Sequence, residues 1–446
     1  MTEREFALAV VRRLHEAGFQ ALWAGGCVRD ERLGLVPKDY DVATDARPDD
    51  VKKLFRRHVT VGESFGVVMV LGPRHAGDTL QVEVATFRTD VGYSDGRRPD
   101  EVVFSSPKED ALRRDFTVNG MFFDPLKNEL IDYVGGEADL GARILRAIGD
   151  PAVRFREDKL RMLRAVRIAT RFELSIEADT AAAIRAMANQ ITVVSVERIA
   201  KELREILVHP RRVHGLNLML DLGLMPVILP EVVPMKGLPH GLPSAPIGDL
   251  WGHVCDVLDR LGPEPSFPLA MATLLHDVGK PRTVGRTPDH YTFHGHEHVG
   301  ARLADELCQR LKLSNAERER VTWLVEKHQY LADARQMRTS RLKPILAHPG
   351  IRELLALHRA DALASDRSVD HVEYCEQLLK EWTAADLIPP PLLTGDDLKQ
   401  RGLEPGPHFK TLLDSVREAQ LDGTIETTEQ AWELVERLLK QPGSME

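Results

Sequence analysis

The chain has 446 residues, is 43% hydrophobic and 28% charged, and carries a formal net charge of −9. At roughly 100–200 residues per domain that length calls for two to four domains of ordinary soluble globular composition. No apolar run approaches the ~18 residues of a membrane span, and the acidic total, taken alone, argues against a nucleic-acid partner.

The opening MTEREFALAVVRRLHEAGF mixes charges into an amphipathic pattern, which predicts a helix over residues 3–18 rather than a signal peptide. FQALWAGG then reads as a strand running into a glycine turn, and DYDVATDA as a second strand. ARPDDVKKLFRRH has the acidic start and basic end of a short helix. SFGVVMVLG and LQVEVATFR alternate as strands do, joined by the turn-prone PRHAGD. The first ~135 residues are thus expected to form a small mixed α/β domain.

From about residue 150 helical periods dominate, strands vanish and arginine rises. Charge is uneven here: Val153–Phe172 carries seven Lys/Arg against two acids. LPEVVPMKGLPHGLPSAPIGD, residues 229–249, reads as a linker or long ordered loop. Residues 250–385 are helical and rich in histidine, IPPPLLTG marks another boundary, and the tail reads as short helices with no ligand cluster. We read that tail as a packing or RNA-contacting module. The cysteines Cys27, Cys255, Cys308 and Cys375 form no CxxC, which fits a reducing cytoplasm without structural zinc.

Asp39 and Asp41 alternate on a strand-like segment, so both carboxylates aim at one side. Such crowding is costly unless a cation sits between them. Mg²⁺ is the expected ion, because it takes one or two carboxylates together with substrate phosphates. Glu83, in LQVEVATF, is placed to supply a third carboxylate. Gly25 and Gly26 let backbone amides approach a phosphate, and Arg29 can reach the same anion.

GGxVRD–x8–DxD resembles the signature of the nucleotidyltransferase superfamily that includes DNA polymerase β. With EDALRRDFTVNGMFFDP and FREDKLRMLRAVRIATRF, it is similar to the class II tRNA nucleotidyltransferases, which build the CCA end of tRNA without a nucleic-acid template. The resemblance covers residues 20–235. It implies an α+β chain: a mixed-sheet nucleotidyltransferase head (1–135) followed by an all-α neck (136–235), an HD domain (245–385) and a helical tail (390–446). It implies tRNA, CTP and ATP as partners, Asp39 and Asp41 as catalytic Mg²⁺ ligands, and Gly26, Arg29 and Arg114 on sugar and triphosphate. Asp158 and Arg161 match its base-selecting motif, with Arg164 and Arg167 as further nucleotide-binding residues.

The selecting pair has its own physics. An ionised Asp only accepts hydrogen bonds and Arg only donates them. Cytosine and adenine present an amino donor beside a ring-nitrogen acceptor, whereas uracil and guanine present a carbonyl beside a ring N–H. An Asp–Arg pair therefore suits C and A and leaves U and G unpaired. Asp158 and Arg161 stand at i and i+3, so they neighbour each other on a helix. Arg164 would follow one step on and Arg167 would drift toward the far face. In this family a loop at residues 88–102 accompanies the switch from C to A addition. It disfavours a CC-only enzyme and leaves full CCA and A-only addition both open.

Further on, His253, His276-Asp277 and Asp361 occur in the order H…HD…D, with His294, His296 and His298 between them. This resembles the HD metal-dependent phosphohydrolases and implies a second, transition-metal site. Imidazole with carboxylate suits Mn, Fe, Co, Ni or Zn. The alternatives are a poly(A) polymerase of the same superfamily, or an HD phosphohydrolase with a degenerate head.

Overall fold

A capping box starts the first helix: Thr2 accepts from the Glu5 amide, and the Glu5 side chain accepts from the Thr2 amide. This helix, α1 (Glu3–Glu16), buries Phe6, Ala7, Val10, Val11 and Leu14. In the computed structural model, which describes residues 1–60, 66–75, 78–91, 101–242, 245–287 and 291–440, α1 packs on the strands that follow. The chain divides into two compact units, Met1–Pro230 and Glu231–Glu446. No helix among the described residues is long and apolar enough to cross a membrane.

In the first unit, α1 leads to β1 (Ala21–Ala24), α2 (Gly26–Arg32), β2 (Asp41–Thr44) and α3 (Pro48–Leu54). Then come β3 (His58–Thr60), β4 (Val67–His75), β5 (Asp78–Thr86), β6 (Arg88–Val91) and β7 (Glu101–Phe104). After α4 (Pro107–Leu112), β8 (Phe122–Asp124) and β9 (Glu129–Ile131) complete a seven-stranded sheet of order β3-β4-β5-β2-β1-β8-β9. It is mixed: β2 runs parallel to β5 and antiparallel to β1. Leu80, Val82 and Val84 are buried while Gln81 and Glu83 between them are exposed, the period-two pattern read from the sequence. Leu22, Ala24, Ala43, Phe87, Ala111 and Phe122 form a core under the sheet. The β6–β7 ladder flanks the loop read at residues 88–102; residues 92–100 lie outside the described residues.

The rest of this unit is mostly helical: α5 (Gly136–Gly141), α6 (Pro151–Glu157), α7 (Leu160–Phe172), α8 (Ala178–Met187), α9 (Val196–Leu207), α10 (Arg212–Asp221) and α11 (Met225–Ile228). Strands do not vanish as expected. Two-residue β10 (Ile144–Leu145) pairs with β11 (Ser175–Ile176) across α6 and α7. That bridge is non-local, so no periodicity announces it.

In the second unit, the segment read as a linker or ordered loop is ordered where described. The strands β12 (Pro239–Leu242) and β13 (Ala245–Asp249) pair, and the Gly237 amide donates to Asp249 (2.7 Å). Asp249 also caps α12 (Leu250–Asp259). Then follow α13 (Phe267–Leu275), α14 (Lys280–Thr283), a pair β14 (Gly285–Arg286) and β15 (Tyr291–Thr292), α15 (His296–Arg310), α16 (Asn315–Lys327), α17 (Thr339–Leu346), α18 (Ile351–Ala364), α19 (Asp370–Glu381) and α20 (Ala384–Leu387). The tail helices α21 (Gly395–Gln400), α22 (Pro407–Leu421) and α23 (Thr428–Leu439) bury a core of their own around Leu398, Leu412 and Val435. Asp422 anchors the end of α22 to the start of α17, accepting from the Ser340 amide (2.6 Å) and from Arg338 (2.6 Å).

Candidate functional site

β1 ends at Ala24 and the chain turns into α2 through Gly25, whose φ is +72°. A Cβ there would be strained and would meet Arg114 Nη1 at 2.8 Å, so the turn requires glycine. Gly26, Asp39, Asp41, Glu83, Arg114, Asp158, Arg161, Arg164 and Arg167 all line one cavity of about 620 Å³, with Arg29 in its wall. The sequence-read residues of the first unit thus meet in one place.

Asp39 lies just before β2 and Asp41 is its first residue. Asp41 pairs in register with Glu83 of β5, so their side chains sit side by side on one sheet face. Burial first, then the charges of Glu83 and Asp39, push the Asp41 carboxyl up to about 7, with Arg114 opposing. Glu83, although exposed on the cavity side, is raised by partial loss of water around its carboxyl and by Asp39. Asp41 and Glu83, whose carboxyls resist ionisation, together with Asp39 beside them form a donor set suited to a hard divalent cation.

The arginines are held by acids, Arg29 and Arg114 by near neighbours in sequence and Arg164 and Arg167 by distant segments. Arg29, 7% exposed, packs on the Phe172 ring at 3.9 Å. It donates to Asp30 Oδ1 (2.9 and 2.5 Å) and to Asn119 Oδ1. Arg114 donates to Asp110 Oδ2 (3.1 and 2.9 Å). Arg164 donates through Nε and Nη2 to Asp115 Oδ2 (2.9 and 2.7 Å), and Arg167 Nε to Glu202 Oε2 (2.5 Å). Burial opposes ionisation of Asp115, but Arg164, the amide of Asn119 and Arg161 outweigh it and hold the carboxyl well below its ordinary value.

One expectation is corrected. Asp158 and Arg161 do not share a helix: α6 ends at Glu157, and Asp158 is extended at φ −146°, ψ 107°. Its Oδ1 accepts from the Leu160 amide (3.0 Å), which favours a fresh helix start at α7. The carboxylate is gripped by Arg198 of α9 (3.2 and 2.7 Å), not by Arg161. Arg161 donates to Glu157 (2.6 Å) and to the carbonyls of Arg154 and Arg113 (both 3.1 Å). The argument that Arg167 drifts to the far face falls with this, because it counted turns from Asp158. Counted along α7, Arg161, Arg164, Arg167 and Arg171 form one stripe into the cavity. Sequence reading missed Arg198, Glu202, Asp115 and Arg171. Asp115 and Asn119 stood in RRDFTVN; Arg198 and Glu202 come from a distant helix that carries no local signal.

The second unit brings His253, His276 and Asp277 together, their ligand atoms within 4.8 Å of one another. Asp277, His296 and His328 make a second such group. Asp361 joins at 3.2 Å from His253 Nε2. His296 comes in from the HGHEH segment, while His294 and His298 are exposed. His328 was missed, although it extends the buried stripe Val321, Leu324, Val325 of α16 at helical spacing. The Nδ1 atoms of His276, His296 and His328 each lie 2.7 Å from a backbone carbonyl, which fixes the tautomer and turns the Nε2 lone pairs inward. His276 Nε2 and Asp277 Oδ1 are buried with no hydrogen-bond partner. Buried polar atoms are rarely orphaned, and here both are ligand-type lone pairs facing other ligands. This donor set fits a transition metal. Gly279 permits the packing, since a Cβ there would collide with the His296 carbonyl.

Comparison with known proteins bears out the resemblance and the fold class. Residues 21–146 match the poly A polymerase head domain, 173–235 the probable RNA- and SrmB-binding site of polymerase A, and 253–366 the HD domain. A CCA-adding enzyme of Bacillus pumilus is 45% identical over 202 residues, covering 45% of this chain and 49% of that protein. The chain thus spans about half the length of the curated relatives it matches. The crystal structure of the Bacillus stearothermophilus CCA-adding enzyme in complex with CTP is 25% identical, with a TM-score of 0.71 over 98% of both chains. The Thermotoga maritima CCA-adding enzyme complexed with tRNA shares the fold at 18% identity and a TM-score of 0.57, over 98% of this chain and 95% of that one.

Proposed function

We infer that this chain, whose head is a poly A polymerase head domain and whose fold is that of CCA-adding enzymes, adds CCA or its terminal A to tRNA 3′ ends from CTP and ATP. The observation that carries this reading is the single cavity that joins the three acids to the Asp158–arginine wall. In the proposed reaction the terminal ribose hydroxyl attacks the α-phosphate and pyrophosphate leaves. Asp39 and Asp41, aided by Glu83, would hold Mg²⁺, which would supply charge neutralisation at the phosphate and activation of the hydroxyl. Gly26, Arg29 and Arg114 bind sugar and triphosphate. Residues 1–135 act as the catalytic head and 136–235 as the base-reading neck. The four cysteines are free thiols, in keeping with action in the reducing cytoplasm. A poly(A) polymerase is not favoured, because the relatives and the structural neighbours above are CCA-adding enzymes.

Asp158 reads the base's amino group. Arg198 occupies one side of its carboxylate, which leaves Oδ2 an acceptor position. Arg161 uses three of its five N–H groups on protein and has donors left for a ring nitrogen. With all four nucleotides offered to a tRNA ending in CC, Asp158→Ala should lose about 10–100-fold in discrimination against UTP and GTP, the worth of one charged hydrogen bond. Unchanged discrimination would remove Asp158 from the selecting role.

For the second unit the orphaned His276 Nε2 supports a transition metal held by His253, His276, Asp361 and Asp277 through its Oδ2, while the orphaned Oδ1 of Asp277 turns toward His296 and His328, at 3.3 and 3.6 Å. A metal bound there supplies Lewis acidity for phosphate chemistry. Protein stripped with EDTA should melt higher when Mn²⁺, Co²⁺ or Ni²⁺ is restored, by about 2.7 kcal/mol of added stability at a hundredfold excess over Kd. His276→Ala should abolish that gain; a gain that survives it places the ion elsewhere.

A further inference from the structure

The cations around the cavity of the first unit are not alike. The arginines of the α7 stripe, with Arg29, Arg113, Arg114 and Arg198 about them, each have a carboxylate oxygen within 3.8 Å. Much of their charge is therefore already answered by the protein. Lys38 lines the same cavity and is exposed, and among the described residues no carboxylate pairs with it. It stands one residue before Asp39.

The backbone holds Lys38 there by its neighbours. Residues 35–40 lie in neither helix nor strand, so side chains carry the anchoring. Pro37 and Tyr40 are buried, while Lys38 and Asp39 between them are exposed. The Tyr40 ring meets Trp23 edge to face, with centroids 5.0 Å apart. Its hydroxyl donates to Glu31 Oε1 at 2.7 Å, and Arg4 Nε donates to the same oxygen at 2.8 Å. Residues of α1, α2 and β1 thus grip Tyr40, and proline stiffens the other end. Between these two anchors the chain presents a cation and a carboxylate to one cavity.

We propose that Lys38 binds the β- and γ-phosphates of the incoming nucleotide and meets the charge that develops on pyrophosphate as it leaves. This rests on the nucleotidyltransferase reading above. In that reaction a bond forms from the ribose 3′ oxygen to the α-phosphorus, and the bond from the α-phosphorus to the bridging oxygen breaks. The electron pair stays on pyrophosphate and the hydroxyl proton passes to solvent. A group that meets the leaving charge acts more strongly on the transition state than on the bound substrate. Lysine suits this place, because its ammonium is a compact charge on a flexible stem and can follow a departing phosphate. The competing source of the same chemistry is the RNA backbone.

The test uses the full chain with Lys38→Met and Lys38→Arg. Binding of ATP, AMP and inorganic pyrophosphate is measured by calorimetry with Mg²⁺ and without tRNA, and kcat and KM are measured for ATP and for a tRNA ending in CC. Lys38→Met should weaken ATP and pyrophosphate about three- to tenfold, a range suited to a charged contact on an exposed side chain. It should leave AMP unchanged, lower kcat, and raise KM for ATP and not for tRNA. Lys38→Arg should recover most of the loss, and neither variant should move the melting temperature. Equal losses for ATP and AMP, an unchanged affinity for pyrophosphate, or a rise in KM confined to tRNA overturns the proposal. Calorimetry needs no turnover. A protein whose pyrophosphate affinity depends on Lys38 in this way, yet which extends no transcript, would sink the proposed reaction and leave the phosphate contact standing.

Discussion

Asp41→Asn is expected to abolish nucleotide incorporation, by about 10³-fold or more, while raising the melting temperature of the metal-free protein. The first effect follows from losing a carboxylate at the cation site, where charge on the reacting phosphate must be met. The second follows from the same crowding. Asp41 is pushed up to about 7 in the fold, against about 3.9 in an unfolded chain. A raised carboxyl destabilises the fold once the unfolded chain ionises. The penalty therefore begins near pH 4, grows until about pH 7 and is constant above it. Asparagine removes the penalty, so the gain in melting temperature should be absent at pH 4 and full at pH 8. Added Mg²⁺ should stabilise the wild type and not the variant. A variant that loses activity and stability together, at every pH, would mean that Asp41 is a structural residue.

Asp115→Asn should be the most damaging change to the first unit itself. Asp115 takes two hydrogen bonds from Arg164, one from Asn119 and one from the Phe116 amide. It is 9% exposed, so its loss leaves a cation beside an uncharged amide. Breaking one half of a fully buried pair costs about 3–5 kcal/mol, and because the Arg164 side chain is 34% exposed the cost here should fall at or below about 3 kcal/mol. Adding Arg164→Met should recover part of that, and a denaturant titration of the single and double variants would measure the coupling. The pH dependence has the opposite sign to that of Asp41. The Asp115 carboxyl is depressed, so its contribution is complete above about pH 4 and is lost as pH falls further toward its folded value. A single variant within about 1 kcal/mol of wild type would contradict this assignment.

The contrast between these acids shows what a sequence exposes. Asp39 and Asp41 were legible from their alternation, although Asp39 falls just before β2 rather than on it, and the register of β2 with β5 then sets Glu83 beside Asp41. Arg114 and Asp115 sit in one short segment whose residue types announce a polar site. The residues proposed to read the base were expected to lie together, and they do line one cavity, but the helix expected to join them was wrong. Helical periodicity runs straight through Glu157-Asp158-Lys159, and only the bond from the Leu160 amide to Asp158 reveals the break. Arg198 and Glu202 are partners made by the packing of α9 on α7, a contact between distant segments that no local pattern encodes. In the second unit the ordered histidines and aspartates were readable as ligands. His328 was hidden because it occupies an apolar stripe, where a histidine looks like core.

Three tRNA transcripts test the central claim most directly: one ending at the discriminator base, one at C and one at CC. Each is incubated with the protein, Mg²⁺ and labelled CTP or ATP, and the products are sized. The account predicts that the CC-ended transcript gains a single A, and that UTP and GTP are refused. CCA on the first transcript would make the protein a full CCA-adding enzyme; labelling of the CC-ended transcript alone would make it an A-adding one. Long A tails, or no incorporation into any transcript, would contradict the account.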